Sequence, residues 1–170
     1  SYHINADHIR HVIHDMVGRP AGVKELPQRV KDVVLTANGW IDHLLLDNDE
    51  KFHADLFIDA SGFARLLAKR LPYEWEHCDE YFNNRALVGS HKFQDYSEYN
   101  TETLTCGMKH GWRFSIPVNG RSGEGYQFNS RLYDNQDEII NEYYTKTGKT
   151  DVEFRLIKWE PGYYKNAMVN

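Results

Sequence analysis

Three histidines, His8, His11 and His14, recur at every third residue near the start of the chain. Imidazoles one helical turn apart can share a metal ion. No acidic or Cys ligand set completes such a site, and Asp7 and Asp15 each stand four residues from His11. The expectation is therefore a polar helix face and no metal. A second string, Asp59-Ala60-Ser61-Gly62, follows the apolar run Leu56-Phe57-Ile58. Small residues beyond the carboxyl end of a buried strand let a cofactor approach the backbone, as in α/β ligand sites. A structural glycine turn accounts for the same string equally well. Gly120, Gly123 and Gly125 have the wrong order for a dinucleotide fingerprint, and Arg121 and Glu124 between them read as solvated loop charges. No nucleophile elbow, H-E-x-x-H or Walker A string occurs.

The most distinctive string is Gly111-Trp112-Arg113-Phe114-Ser115-Ile116-Pro117-Val118. On a strand, Trp112, Phe114 and Ile116 share one face while Arg113 and Ser115 share the other. Pro117 lacks an N–H, so its end of the strand must be an edge or a bend. An aromatic wall ending there suits a water-excluded pocket or tunnel. Ordinary packing in a sheet core is the competing reading.

Several elements must position these residues. Ile9, Val12, Ile13 and Met16 recur at helical spacing, which predicts a helix over 7–17 begun by Asn5 or Asp7 and ended by Gly18 and Pro20. A short strand at 22–26 and strands at 29–36, 40–46 and 51–53, turned at Asn38-Gly39 and at 47–50, predict an antiparallel meander. The run 55–60 reads as a strand buried on both faces, leading into a helix at 63–70. Strands follow at 85–92, 101–109, 112–118, 125–130, 152–159 and 163–169. Residues 119–123 and Pro161-Gly162 read as turns, and 136–146 as an amphipathic helix.

Composition sets the outer bounds. The chain has 170 residues, 41% hydrophobic and 14% aromatic, enough for a sizeable core. Lys and Arg number 20 against 25 Asp and Glu, a net charge of -5, which gives no support to a nucleic-acid partner. No apolar run reaches the ~20 residues that span a bilayer, so no membrane association is expected. Cys78 and Cys106 form no paired motif and fit a reducing, cytoplasmic compartment. Both ends look cut from a longer protein.

Three strings in order, 52–63, 111–117 and Gly123-Glu124-Gly125-Tyr126, resemble the flavin-dependent tryptophan halogenase family. The family signature W-x-W-x-I-P is matched by Trp112, Ile116 and Pro117, with Phe114 where the second Trp would stand. The resemblance implies the central part of a class A flavin-monooxygenase-like fold, α/β with a β-sheet-rich substrate region. It places residues 1–72 in the FAD-binding region and 73–170 on the substrate side. It implies halogenation of tryptophan or another electron-rich aromatic by reduced FAD, O2 and halide, with the flavin supplied by a separate reductase. Val30, Asp59, Ser61 and Gly62 match flavin-site positions, and Trp112, Phe114, Ile116 and Pro117 match the wall between flavin and substrate. The family's dinucleotide motif and catalytic Lys would precede Ser1, and its substrate-side acid and halide-binding turn would follow Asn170. No catalytic residue is therefore assigned, and the isolated segment is expected to be inactive. A related flavin monooxygenase and a non-catalytic β-rich binding module are the alternatives.

Overall fold

The computed structural model describes residues 3–166. The side chain of Asn5 accepts a hydrogen bond from the Asp7 N–H and so starts α1, Ala6–Ile13. A π-helical turn, His14–Gly18, continues it. In chain order there follow β1 (Val30–Leu35), β2 (Ile41–Leu46), β3 (Lys51–Phe52), β4 (Trp75–His77), β5 (Arg85–Lys92), β6 (Leu104–Gly107), β7 (Gly111–Val118), β8 (Arg121–Phe128), α2 (Gln136–Thr147), β9 (Arg155–Lys158) and β10 (Gly162–Tyr164). The chain divides into two units, Ser1–Val23 with Asp79–Pro161, and Lys24–Cys78 with Gly162–Asn170.

The first unit is built on a five-stranded sheet in the order β6-β7-β8-β5-β9, antiparallel at every pair. Alternation along β8 sends Ser122, Glu124, Tyr126 and Phe128 to one face. Helix α2 packs there, capped by the Asn135 side chain on the Glu138 N–H and closed at Gly148. Leu87, Tyr126, Phe128, Ile139, Tyr143 and Val152 form the core between them. Removing side chains of this size from water supplies ~1.5–3 kcal/mol each.

The second unit holds the meander β1-β2-β3 and a two-stranded ladder of β4 with β10. Its core is Val33, Ile41, Leu44 and Leu46, with Val30, Phe57, Leu67 and Leu71 packed around them. Two register shifts interrupt the β1–β2 ladder, one between Val30 and Asp32 and one between Val34 and Leu35. The second leaves Asp42 as an extra residue, because Leu35 faces Ile41 while Val34 faces His43.

Several elements differ from expectation. Residues 22–26 form no strand, and the run 55–60 is irregular chain with Leu56 and Ile58 exposed and Phe57 half-buried. An apolar run becomes a strand only where a second strand pairs its backbone, and none does so among the described residues. The helix expected at 63–70 is replaced by two 3-10 turns, Gly62–Ala64 and Ala68–Arg70, because the Asp59 and Ser61 side chains capture the N–H groups a helix would use. The apolar positions of α1 are exposed. Only Asn119 and Gly120 form the loop between β7 and β8, so Arg121 to Gly123 belong to β8. Gly162 opens β10 instead of a turn. The strand expected at 163–169 stops at Tyr164, and 167–169 lie outside the described residues.

Candidate functional site

The register of β7 with β8 decides what faces where. Trp112 pairs with Gln127, Phe114 with Gly125 and Ile116 with Gly123, while Arg113 pairs with Tyr126 and Ser115 with Glu124. The α2 core therefore lies on the Arg113–Ser115 face. Trp112, Phe114 and Ile116 line the opposite face, and Ile116 is 37% exposed. The stripe is therefore not part of the α2 core. The Trp112 and Phe114 rings tilt against each other with centroids 5.8 Å apart. The Phe114 ring reaches over Gly125, where an added Cβ would come within 2.2 Å of it. Beside Trp112, Thr105, Cys106 and Gly107 of β6 line an open cleft of about 360 Å³. The β6 ladder ends at the Leu104–Ser115 pair, so Pro117 lies beyond it and pairs only with Ser122. The strand is an edge at Pro117, as its missing N–H requires.

Behind the stripe, on the core face, Glu124 is 1% exposed. The expectation of a solvated loop charge is thus overturned, since Glu124 sits in phase with Tyr126 and Phe128 on a regular strand. Its Oε1 accepts from Lys149 Nζ at 2.5 Å, Ser122 Oγ at 2.6 Å and Ser115 Oγ at 2.7 Å. Its Oε2 accepts from Tyr143 Oη at 2.7 Å. Burial alone would push this carboxyl up, but the bonds from Lys149, Ser122, Ser115 and Tyr143 outweigh it and hold it below the usual Glu value. The network joins β7, β8 and α2 under the stripe.

The second unit carries the other expected residues. Asp59 is half-buried, and its carboxylate organises the loop that follows. Oδ1 accepts from the Ser61 N–H at 3.0 Å and from Ser61 Oγ at 2.5 Å. Oδ2 accepts from the N–H groups of Leu67 and Ala68, both at 2.9 Å. Ser61 Oγ in turn accepts from the Leu66 N–H at 2.8 Å. Burial opposes ionisation of Asp59, yet the bonds from Ser61, Ala68 and Leu67 keep its carboxyl below the usual Asp value. Gly62 has φ +62 and open space where a Cβ would point, so its backbone offers an unobstructed approach. Val30 packs at the edge of the local core, beside the first register shift. Val30, Asp59, Ser61 and Gly62 thus share one unit, and Trp112, Phe114, Ile116 and Pro117 share the other.

Two further groups were not singled out from sequence. His91 is buried between two carboxylates, with Nδ1 at 2.7 Å from Asp151 and Nε2 at 2.7 Å from Glu98. Asp42, His43 and His53 form a cluster with metal-ligating chemistry. Of the histidines on the first helix, His14 pairs with Asp15 and His11 contacts Arg10.

The family model "Tryptophan halogenase" matches residues 1–170, and the chain belongs to the tryptophan halogenase family. It is 30% identical over 146 residues to the tryptophan 7-halogenase RebH of Lentzea aerocolonigenes, which covers 84% of this chain and 27% of that protein. The VirX1 apo structure superposes with a TM-score of 0.88 at 25% identity, covering 98% of this chain and 33% of that one. BrvH, a flavin-dependent halogenase from Brevundimonas sp. BAL3, superposes with a TM-score of 0.80 at 23% identity over 96% of this chain and 33% of that one. The fold is thus the mixed α/β part of a flavin-monooxygenase-like architecture shared with the flavin-dependent halogenases. The chain spans 27% to 33% of the length of these relatives. Among the described residues, no helix is long and apolar enough to cross a membrane.

Proposed function

We propose that this chain is part of a flavin-dependent halogenase acting on tryptophan or another electron-rich aromatic, with halide and O2 as co-substrates. The observation that carries the reading is the stripe Trp112, Phe114 and Ile116, an aromatic wall turned away from the α2 core in a member of this family. Residues 1–72 would contribute to the FAD region and 73–170 to the substrate side. Reduced FAD, delivered by a separate flavin reductase, would supply the oxidising chemistry. Such a partnership suits a cytoplasmic enzyme, and Cys78 and Cys106 form no disulfide.

The chain's own residues fit a bound flavin in a definite way. All of the Asp59 hydrogen bonds described above go to its own loop, so Asp59 shapes that loop instead of binding the ligand. The Ser61–Gly62 backbone, left open by the missing Cβ, would approach the flavin, and Val30 would pack beside its adenosine end. Trp112, Phe114 and Ile116 would keep substrate apart from the flavin and leave a passage for a small oxidised halide, while Pro117, in phase with the core face through its pairing with Ser122, would end the strand behind that wall. That separation is what makes halogenation differ from direct oxygen transfer.

The test uses the full-length enzyme with FAD, a flavin reductase, and chloride or bromide, read by mass spectrometry. A product carrying the isotope pattern of the added halide is expected. An oxygenated product formed equally without halide would make the enzyme a monooxygenase. Absence of flavin binding would leave a non-catalytic module.

A further inference from the structure

The cluster Asp42–His43–His53 lies in the three-stranded meander and includes no residue assigned above to flavin or substrate. Its geometry comes from two local features. The register shift after Val34 leaves Asp42 as a bulged residue, so Asp42 and His43, adjacent in sequence, bring their side chains together. Asp42 Oδ2 lies 2.6 Å from His43 Nδ1. Pairing of Leu44 with Phe52 and Leu45 with Lys51 brings His53, the residue after β3, near His43. The two imidazole centroids are 5.1 Å apart.

We propose that Asp42, His43 and His53 bind a divalent transition-metal ion of the Zn2+ class. One ligand atom from each side chain lies within 4.8 Å of those of the other two. Metal–ligand distances of about 2.0–2.2 Å put tetrahedral donors about 3.4 Å apart, so the set closes on an ion by modest side-chain rotation. Asp42 and His53 are exposed, while buried His43 is the fixed point. The hydrogen bonds fix the starting arrangement. His43 Nδ1–H donates to the Asp42 carboxylate, and His53 Nδ1–H donates to the Asp42 carbonyl at 3.2 Å. Coordination by the Asp42 carboxylate would replace its hydrogen bond with His43 Nδ1, that ring giving a deprotonated nitrogen to the ion, while the Asp42 carbonyl holds His53 Nδ1–H and leaves His53 Nε2 as the ligand. Two imidazoles and one carboxylate favour Zn2+, Co2+, Ni2+ or Cu2+ over Mg2+ or Ca2+. An ion here would tie β3 to β2, which are otherwise joined by a ladder of two residues on β3.

The experiment is calorimetric titration of the full-length, metal-free enzyme with Zn2+, with Co2+ absorption as a second readout. One Zn2+ per chain at micromolar affinity is expected, with visible Co2+ bands and a rise in Tm on adding Zn2+. His53→Ala, a change at an exposed position, should weaken Zn2+ at least tenfold and abolish the Tm rise. His11→Ala should change neither. Failure to bind, equal competition by Mg2+, or a His53→Ala protein that titrates like the parent would overturn the proposal. So would loss of binding in His11→Ala alone.

Discussion

Phe114 and Gly125 are cross-strand partners in which one residue occupies the space the other leaves. The Phe114 ring lies where a Cβ on Gly125 would have to go, 2.2 Å from its Cζ. The glycine lets the ring approach the backbone of β8.

Gly125→Ala should therefore lift the Phe114 ring off β8 and cost about 1–3 kcal/mol, the range for forced overpacking, measured by denaturant unfolding. Phe114→Trp should keep the fold and FAD affinity, because the larger ring extends outward from Gly125. In the full-length enzyme it should narrow the passage and lower any oxygenated side product.

The Glu124 network should be expensive to break from one side. Glu124→Ala leaves Lys149, Ser115, Ser122 and Tyr143 without their shared acceptor, an expected loss of about 3 kcal/mol in unfolding free energy. Since the Glu124 carboxyl is held below its ordinary value, it adds stability above that value, and this is lost as pH falls through the depressed one. Glu124→Gln should flatten the acid limb of the stability profile.

His91 should give the opposite pH dependence. Burial would lower its pKa, but the bonds to Glu98 and Asp151 outweigh burial and the nearby Lys149 charge, so the ring stays protonated above its usual value of 6.5. Its contribution is full below that value, while both carboxylates are ionised. It is lost as pH rises through the raised value. Thermal unfolding of the parent should weaken over that interval, and His91→Gln should remove the dependence.

Asp59→Ala removes the acceptor for the Ser61, Leu67 and Ala68 N–H groups at once. The loop over 61–68 should lose its two 3-10 turns, and FAD affinity of the full-length enzyme should fall at least tenfold by fluorescence titration. Asp59→Asn keeps one acceptor oxygen and should fall between the two. Unchanged FAD affinity in Asp59→Ala would show that this loop does not meet the flavin.

Much of the fold was legible because its signals are local. The Asn38-Gly39 turn between two apolar runs marks β1 and β2, and the amphipathic pattern over 136–146 marks α2. The run 55–60 misled because hydrophobicity reports what a segment can bury, not whether a second backbone pairs with it. Glu124 was missed by reading the glycines around it as a turn. Counting by twos from Phe128 through Tyr126 reaches Glu124 and Ser122, and that phase was the available signal. The Asp42–His43–His53 cluster had none, since a bulge and a cross-strand register bring those residues together. Which face of β7 holds the core was likewise open, because an aromatic stripe such as Trp112 and Phe114 is also what a sheet core carries.

Trp112→Ala in the full-length enzyme tests the wall most directly, by unfolding and product ratio measured on the same sample. Trp112 is partly exposed on the face opposite the α2 core, so the stability loss should stay below the ~3–5 kcal/mol of a buried Trp. The ratio of halogenated to oxygenated product should fall as the wall opens. A protein that melts far earlier yet keeps the parent's product ratio would contradict the account and make Trp112 a core residue.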